Sequence, residues 1–163
     1  EERYYFKTDE KRNTLRPDTI MITSRGKKGQ KIFVLDSKYY RYGATGIKNH
    51  LPDSASIVKQ FAYAEYIEKN ASIPNDVKNN RTENSIFNAF IMPACTEQIK
   101  NIGYASADYI LTEKDSSDVS CVPEKSWHKI HGILLDTKTV MEHAAKKDNG
   151  LIEQLAAAIE ENR

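Results

Sequence analysis

PDTIMITSRGKKGQKIFVLDSK, residues 17–38, reads as two strands and the turn between them. Thr19 to Thr23 is rich in β-branched residues, which suit an extended chain. Lys31 to Asp36 contains the apolar run Ile32 to Leu35, continuous enough to be buried on both faces of a sheet. Ser24 to Gln30, with Gly26 and Gly29 among charged residues, is the turn. A hairpin brings the start of its first strand to the end of its second. Asp18 and Asp36, eighteen positions apart, therefore meet at one end of a sheet. Lys38 lies two beyond Asp36, so on a strand it faces the same way.

Working outward, Tyr39 to Asp53 reads as a loop with Gly43, Gly46 and Pro52. Asp53 or Ser54 then caps a helix that ends near Asn70, with an apolar stripe of Ile57, Phe61, Ala64 and Ile67. After a loop over Pro74 to Asn84 comes a central strand, Ile86 to Met92, stopped by Pro93. Ile102 to Ala105 and Tyr109 to Leu111 are weaker strand signals, and 112–126 is a polar loop. Lys129 to Leu135 is a strand, and 137–145 and 151–159 are helices. The expected class is α/β, with a mixed central sheet and helices on its faces.

The 163 residues fit a single compact domain, and a 39% hydrophobic fraction excludes a disordered chain. No apolar run approaches the ~20 residues a membrane span needs, and no export signal opens the chain. Cys95 and Cys121 lack zinc-site spacing, which points to reduced thiols and a cytoplasmic setting. Net charge is only +1, yet residues 1–50 carry 12 basic against 6 acidic side chains. Residues 51–163 carry 12 against 17. A basic third beside an acidic remainder suits a polyanion-facing surface, or is a chance asymmetry of a solvated one.

Two carboxylates and an ammonium at one place suit phosphodiester hydrolysis. Carboxylates hold a hard divalent ion, which activates water and stabilises charge on the phosphate. A neighbouring lysine adds positive charge there. Ser37, between Asp36 and Lys38, offers a backbone carbonyl as a further metal ligand. The D-x-K pattern also occurs at Asp9-Glu10-Lys11 and Asp136-Thr137-Lys138. The first follows no apolar strand. The second ends a strand, but no hairpin joins Asp136 to Asp118, and Asp136 has a plain task as a helix cap.

Pro17-Asp18 followed by Asp36-Ser37-Lys38 resembles the signature of the PD-(D/E)XK nuclease superfamily. LRPDTIMI, VLDSKYYRYG, LPDSASIVKQFAYAEYI and NAFIMP are most similar to LlaJI-type restriction endonucleases and McrC-like restriction subunits. The resemblance covers roughly residues 15 to 140 and implies a restriction-endonuclease-like core. It implies a Mg²⁺-dependent, type II-like endodeoxyribonuclease of a restriction system, with Mn²⁺ as a substitute ion. Asp18 and Asp36 would be metal ligands, Lys38 the catalytic lysine, and Gln60 a supporting residue on the following helix. The upstream acid found in relatives has only Glu1, Glu2 and Glu10 as poor counterparts. Tyr63, three residues after Gln60, departs from the spacing of four seen in some relatives.

On this reading residues 1–163 are a single cleavage domain, expected to be one module of a longer restriction protein because Glu1-Glu2-Arg3 opens without methionine. Double-stranded DNA is the expected partner, with a homodimer or a companion recognition subunit for double-strand cutting. Arg25, Lys27 and Lys28 at the turn, Arg41 after the catalytic lysine, and Lys59 beside Gln60 are candidate phosphate contacts beside the site; solvated surface charge is the plain alternative. Tyr39, Tyr40 and Tyr42 either pack the sheet or approach DNA. His128, His131 and His143 read as structural. Two other functions fit the same residues: a catalytically incomplete DNA-binding or scaffold domain, and a nuclease of repair or recombination.

Overall fold

A computed structural model describes residues 17–25, 27–37, 39–69, 81–106, 125–146 and 149–161. Two strands open it, β1 (Thr19–Thr23) and β2 (Gln30–Ser37). They pair antiparallel from Thr19↔Leu35 to Thr23↔Lys31, as the hairpin reading requires. The turn between them closes with Lys27 N donating to Ser24 O and Gln30 N to Lys27 O. Gly29 there has φ +84°, a conformation that side chains with a Cβ avoid.

Next come a short helix α1 (Tyr42–Thr45), a 3-10 turn (Lys48–His50) and the long helix α2 (Ser54–Lys69). The stretch expected as loop, Tyr39 to Asp53, thus contains two turns of helix. Asp53 caps α2 by accepting a 2.8 Å hydrogen bond from Ser56 N. The remaining elements are β3 (Arg81–Ala94), β4 (Lys100–Ser106), a 3-10 turn (Ser126–His128), β5 (Lys129–Asp136), α3 (Thr137–Lys146) and α4 (Gly150–Glu160). β3 starts at Arg81, inside the expected loop Pro74 to Asn84, because Arg81 pairs with Gln30 across an irregular step in the ladder. The expected strand Tyr109 to Leu111 and most of the expected loop 112–126 lie outside the described residues.

The chain is α/β, with a five-stranded mixed sheet in the order β1-β2-β3-β5-β4. β2, β3 and β5 run parallel, and β1 and β4 are antiparallel edges. Parallel central strands require both faces to be covered, which explains why Ile32 to Leu35 reads as an unbroken apolar run. Alternation splits that run between two cores. Ile32 and Val34 pack with Ile86 against Tyr63, Ala64 and Ile67 of α2, and with Trp127. Phe33 and Leu35 pack with Phe87, Ala89 and Ile133 against Leu155, Ala156 and Ile159 of α4. The Phe33 and Phe87 rings stack with centroids 5.1 Å apart. Among the described residues, no helix is long and apolar enough to cross a membrane.

The buried face of α2 keeps Ala64 and Ile67 of the expected stripe, with Phe61 packed against the same core, and adds two residues outside it. Gln60, Tyr63, Ala64 and Ile67 are buried, while Ile57 and Phe61 are only partly so. The helix is turned so that the Gln60 amide joins Tyr63, Ala64 and Ile67 against the sheet.

Candidate active site

The hairpin register carries the two acids together. Thr19 opposes Leu35 as the last pair of the ladder, so Asp18, in a bend just before β1, and Asp36, in β2, come next at that end. Asp36 faces α2, because it alternates with Val34 and Ile32. Asp36 is 1% exposed; Asp18 is exposed, at the rim. Ser37 ends β2 with an exposed side chain, and Lys38 lies outside the described residues.

Helix α2 supplies two neighbours in sequence to this corner. Gln60 is fully buried and donates from Nε2 to Val34 O at 2.8 Å and to Asn88 Oδ1 at 3.4 Å. Asn88 in turn donates to Trp127 O at 2.8 Å. This chain of amides locks α2 to β2 and β3 two residues before Asp36. Gln60 Oε1 is buried and has no hydrogen-bond partner among the described residues. Lys59, the residue before, is exposed, with its ammonium 5.3 Å from the centroid of the Tyr63 ring. A hydrogen bond with the Tyr63 side chain raises its pKa, burial opposes this, and the charges of Tyr63, Asp36 and Asp18 reinforce it. The same ammonium therefore feels both carboxylates, which places Asp18, Asp36 and Lys59 in one electrostatic neighbourhood.

Tyr63, whose spacing from Gln60 departs from that of some relatives, lies against Lys59. It is 3% exposed, forming the wall on which Lys59 rests. Its spacing of four from Lys59 on a helix was the available signal. Of the other tyrosines, Tyr40 shares a 2.8 Å hydrogen bond with Ser56 at the start of α2, whereas Tyr39 is 94% exposed. Arg41 is exposed just before α1, which packs on the end of β3 near Asp36.

The hairpin separates the turn lysines from this corner. Arg25, Lys27 and Lys28 follow Thr23↔Lys31, the opposite end of the ladder from Thr19↔Leu35. The six residue steps along β2 from Asp36 to Gln30 span about 20 Å. These cations are exposed, but they are not beside the carboxylates as expected; the same pairing that unites residues 18 and 36 carries the turn away. The rival Asp136 is engaged as a cap: its Oδ2 accepts from Thr139 N at 3.0 Å and Thr139 Oγ1 at 3.1 Å. His128 stands edge-on to Trp127, and His131 is held by Asn101. Cys95 is an exposed free thiol.

Among the described residues, no three His, Cys, Asp or Glu side chains gather as a metal cage. Two carboxylates at one end of the hairpin, one of them buried, nevertheless fit a small hard cation. Mg²⁺ is commonly held by one or two carboxylates and completes its sphere with water and phosphate oxygens.

The sequence model of the LlaJI restriction endonuclease family matches residues 3–136. No curated protein and no solved structure matches the chain.

Proposed function

The chain belongs to the LlaJI restriction endonuclease family, and from that premise we propose that it is the DNA-cutting nuclease of a restriction system, working as a PD-(D/E)XK enzyme. The substrate is double-stranded DNA, and the reaction is type II-like hydrolysis of phosphodiester bonds with Mg²⁺, or Mn²⁺ in its place. One observation supports the reading: the β1–β2 ladder ends at Thr19↔Leu35, so Asp18 and Asp36 are the next residues outward at the same end of the hairpin.

Asp18, Asp36 and the Ser37 carbonyl would hold the ion. When bound, it supplies Lewis acidity at the phosphate and an activated water. Lys38, outside the described residues, would be the lysine that offsets charge building on the phosphate. Gln60 holds α2, and hence Lys59, against the strand that bears Asp36. Arg41 meets backbone phosphate near the cut. Arg25, Lys27 and Lys28, about 20 Å away, meet phosphates about six base pairs along the duplex.

The test is plasmid incubation with wild-type protein and Asp36→Ala, with and without Mg²⁺. Cleavage should require the ion and fall at least about 1,000-fold in the variant, the scale on which essential electrostatic groups act. Retained cleavage by Asp36→Ala would falsify the assignment. Salt-sensitive DNA binding by the wild type without cutting in either metal would mark it instead as a scaffold of the same fold.

A further inference from the structure

Helix α3 (Thr137–Lys146) carries its apolar stripe outward. Thr137, Val140, Met141, Ala144 and Ala145 recur at the spacing of one helical face, yet all five are exposed, Met141 to 72%. No residue of α3 is buried. Thr139 and His143 are partly covered instead, and Thr139 is held there by its two bonds to Asp136. A helix this short is marginal by itself, and such helices gain most of their stability by covering an apolar face. In α3 that face is open.

We propose that the α3 stripe pairs with the same stripe of a second copy of this chain, antiparallel about a twofold axis near Val140. Charge selects that occupant. Lys138 and Glu142 lie one turn apart at the margin of the stripe, both exposed, in a loose 3.9 Å contact. An antiparallel pair brings the same margin of each helix together, so Lys138 of each copy meets Glu142 of the other. The opposed helix dipoles favour the same order. α3 is about 15 Å long, so this contact covers less than the roughly 800 Å² per partner of a standard interface. The free protein therefore pairs weakly, with Kd on the order of 100 μM. The position suits cutting. β2, β3 and β5 run parallel, and α3 follows β5 directly, so it leaves the sheet at the end where Asp36 stands, two strands to the side. Two copies joined through α3 are joined near the ends that carry the acids. The pairing stands without the nuclease reading; its use in cutting both strands of a duplex rests on it.

Sedimentation equilibrium from about 10 μM to about 1 mM protein tests the pairing, a range that brackets the expected affinity. Wild type should pass from monomer to dimer across it. Met141→Glu should self-associate at least about tenfold more weakly with an unchanged melting temperature, because the side chain it replaces is exposed. Lys138→Glu and Glu142→Lys, each with like charges along the margin, should each self-associate about three- to tenfold more weakly. An equal mixture of those two variants should recover wild-type affinity, since each supplies the charge the other lacks and neither can form the pair within its own helix. Monomeric wild type at the top of the range overturns the pairing and leaves the stripe to a different chain. Dimers that Met141→Glu does not weaken overturn α3 as the contact, and charge variants that fail to recover on mixing overturn the antiparallel order. On plasmid with Mg²⁺, Met141→Glu should nick where wild type linearises. Wild type that dimerises through α3 but cuts nothing overturns the nuclease reading and leaves the pairing standing.

Discussion

Gln60 donates a 2.8 Å hydrogen bond to the carbonyl of Val34, 26 residues earlier in the chain. The bond spans from a helix to the second strand of a sheet, and it lands two residues before Asp36. Gln60 also reaches Asn88 on the neighbouring strand, and Asn88 is anchored to Trp127 O. A buried polar relay of this kind specifies how α2 sits on the sheet, because a rotated or shifted helix leaves several amide groups unpaired.

Replacing Gln60 with Leu should therefore lower stability by about 1–3 kcal/mol, through the unpaired Asn88 group and the lost helix anchor. In a domain of this size that is roughly 2–4 °C in melting temperature per kcal/mol. Mn²⁺ affinity should change less than stability does. Thermal melts and calorimetry on one preparation distinguish the outcomes. Unchanged stability with lost metal binding would assign Gln60 to the ion rather than to the scaffold.

Gly43 is packed where no side chain fits. A Cβ there would run into Pro93 O and lie 2.9 Å from Ala94 Cβ. α1 must then lift from the end of β3, so Gly43→Ala should destabilise the protein by about 1–3 kcal/mol. DNA cleavage should fall with it, since the segment between Asp36 and α2 loses its seat. A melting temperature equal to wild type would show that α1 docks otherwise.

Asp136→Ala separates the two D-x-K segments. It removes the acceptor for Thr139 N and Thr139 Oγ1, so the melting temperature should drop while Mg²⁺-dependent cleavage persists. The Thr139 backbone bond is the main cause holding the Asp136 carboxyl below its usual 3.8. For a depressed carboxyl, the stabilisation is present above the unfolded value and is lost as pH falls through the folded one. The wild type should thus lose its advantage over Asp136→Ala only in that acid range. Loss of cleavage in a folded Asp136→Ala protein would move the active site to β5.

His131 should titrate below 6.5. It is 3% exposed, and burial lowers its pKa first, with the charge of Lys129 adding to the effect. Asn101 Nδ2 lies 3.2 Å from His131 Nδ1, where the neutral ring can accept. Because the folded pKa is depressed, this contribution to stability is complete above 6.5 and declines as pH falls through the folded value. Proton NMR of the ring, with melts taken from about pH 8 to about pH 5, reads both. A midpoint at or above 6.5 would contradict the burial argument.

Local information was sufficient for the hairpin. β-branched residues, a glycine turn and an apolar run specify β1 and β2, and the antiparallel pairing of their ends follows without any distant contact. The position of Asp18 and Asp36 at the same end of the hairpin follows from that local pairing. The displacement of Arg25, Lys27 and Lys28 from the acids is also implied by it, since a turn is the far end of its own hairpin. The cap at Asp53 and the strand at Lys129 were readable for the same reason: each depends on neighbours in sequence.

Tertiary packing decided the rest. Apolar periodicity in α2 found Ala64 and Ile67, which are buried, but not Gln60 and Tyr63, which turn inward while Ile57 and Phe61 are only partly covered. An amide is favoured in a core only when acceptors are waiting, and those acceptors, Val34 O and Asn88, lie on two other strands. The early start of β3 likewise depends on a strand fifty residues away offering Gln30 as a partner. Sequence determined which strands pair first, because a hairpin is a short-range object; only the folded sheet determined which residues of α2 turn inward, because that depends on the rotation of a helix about its axis.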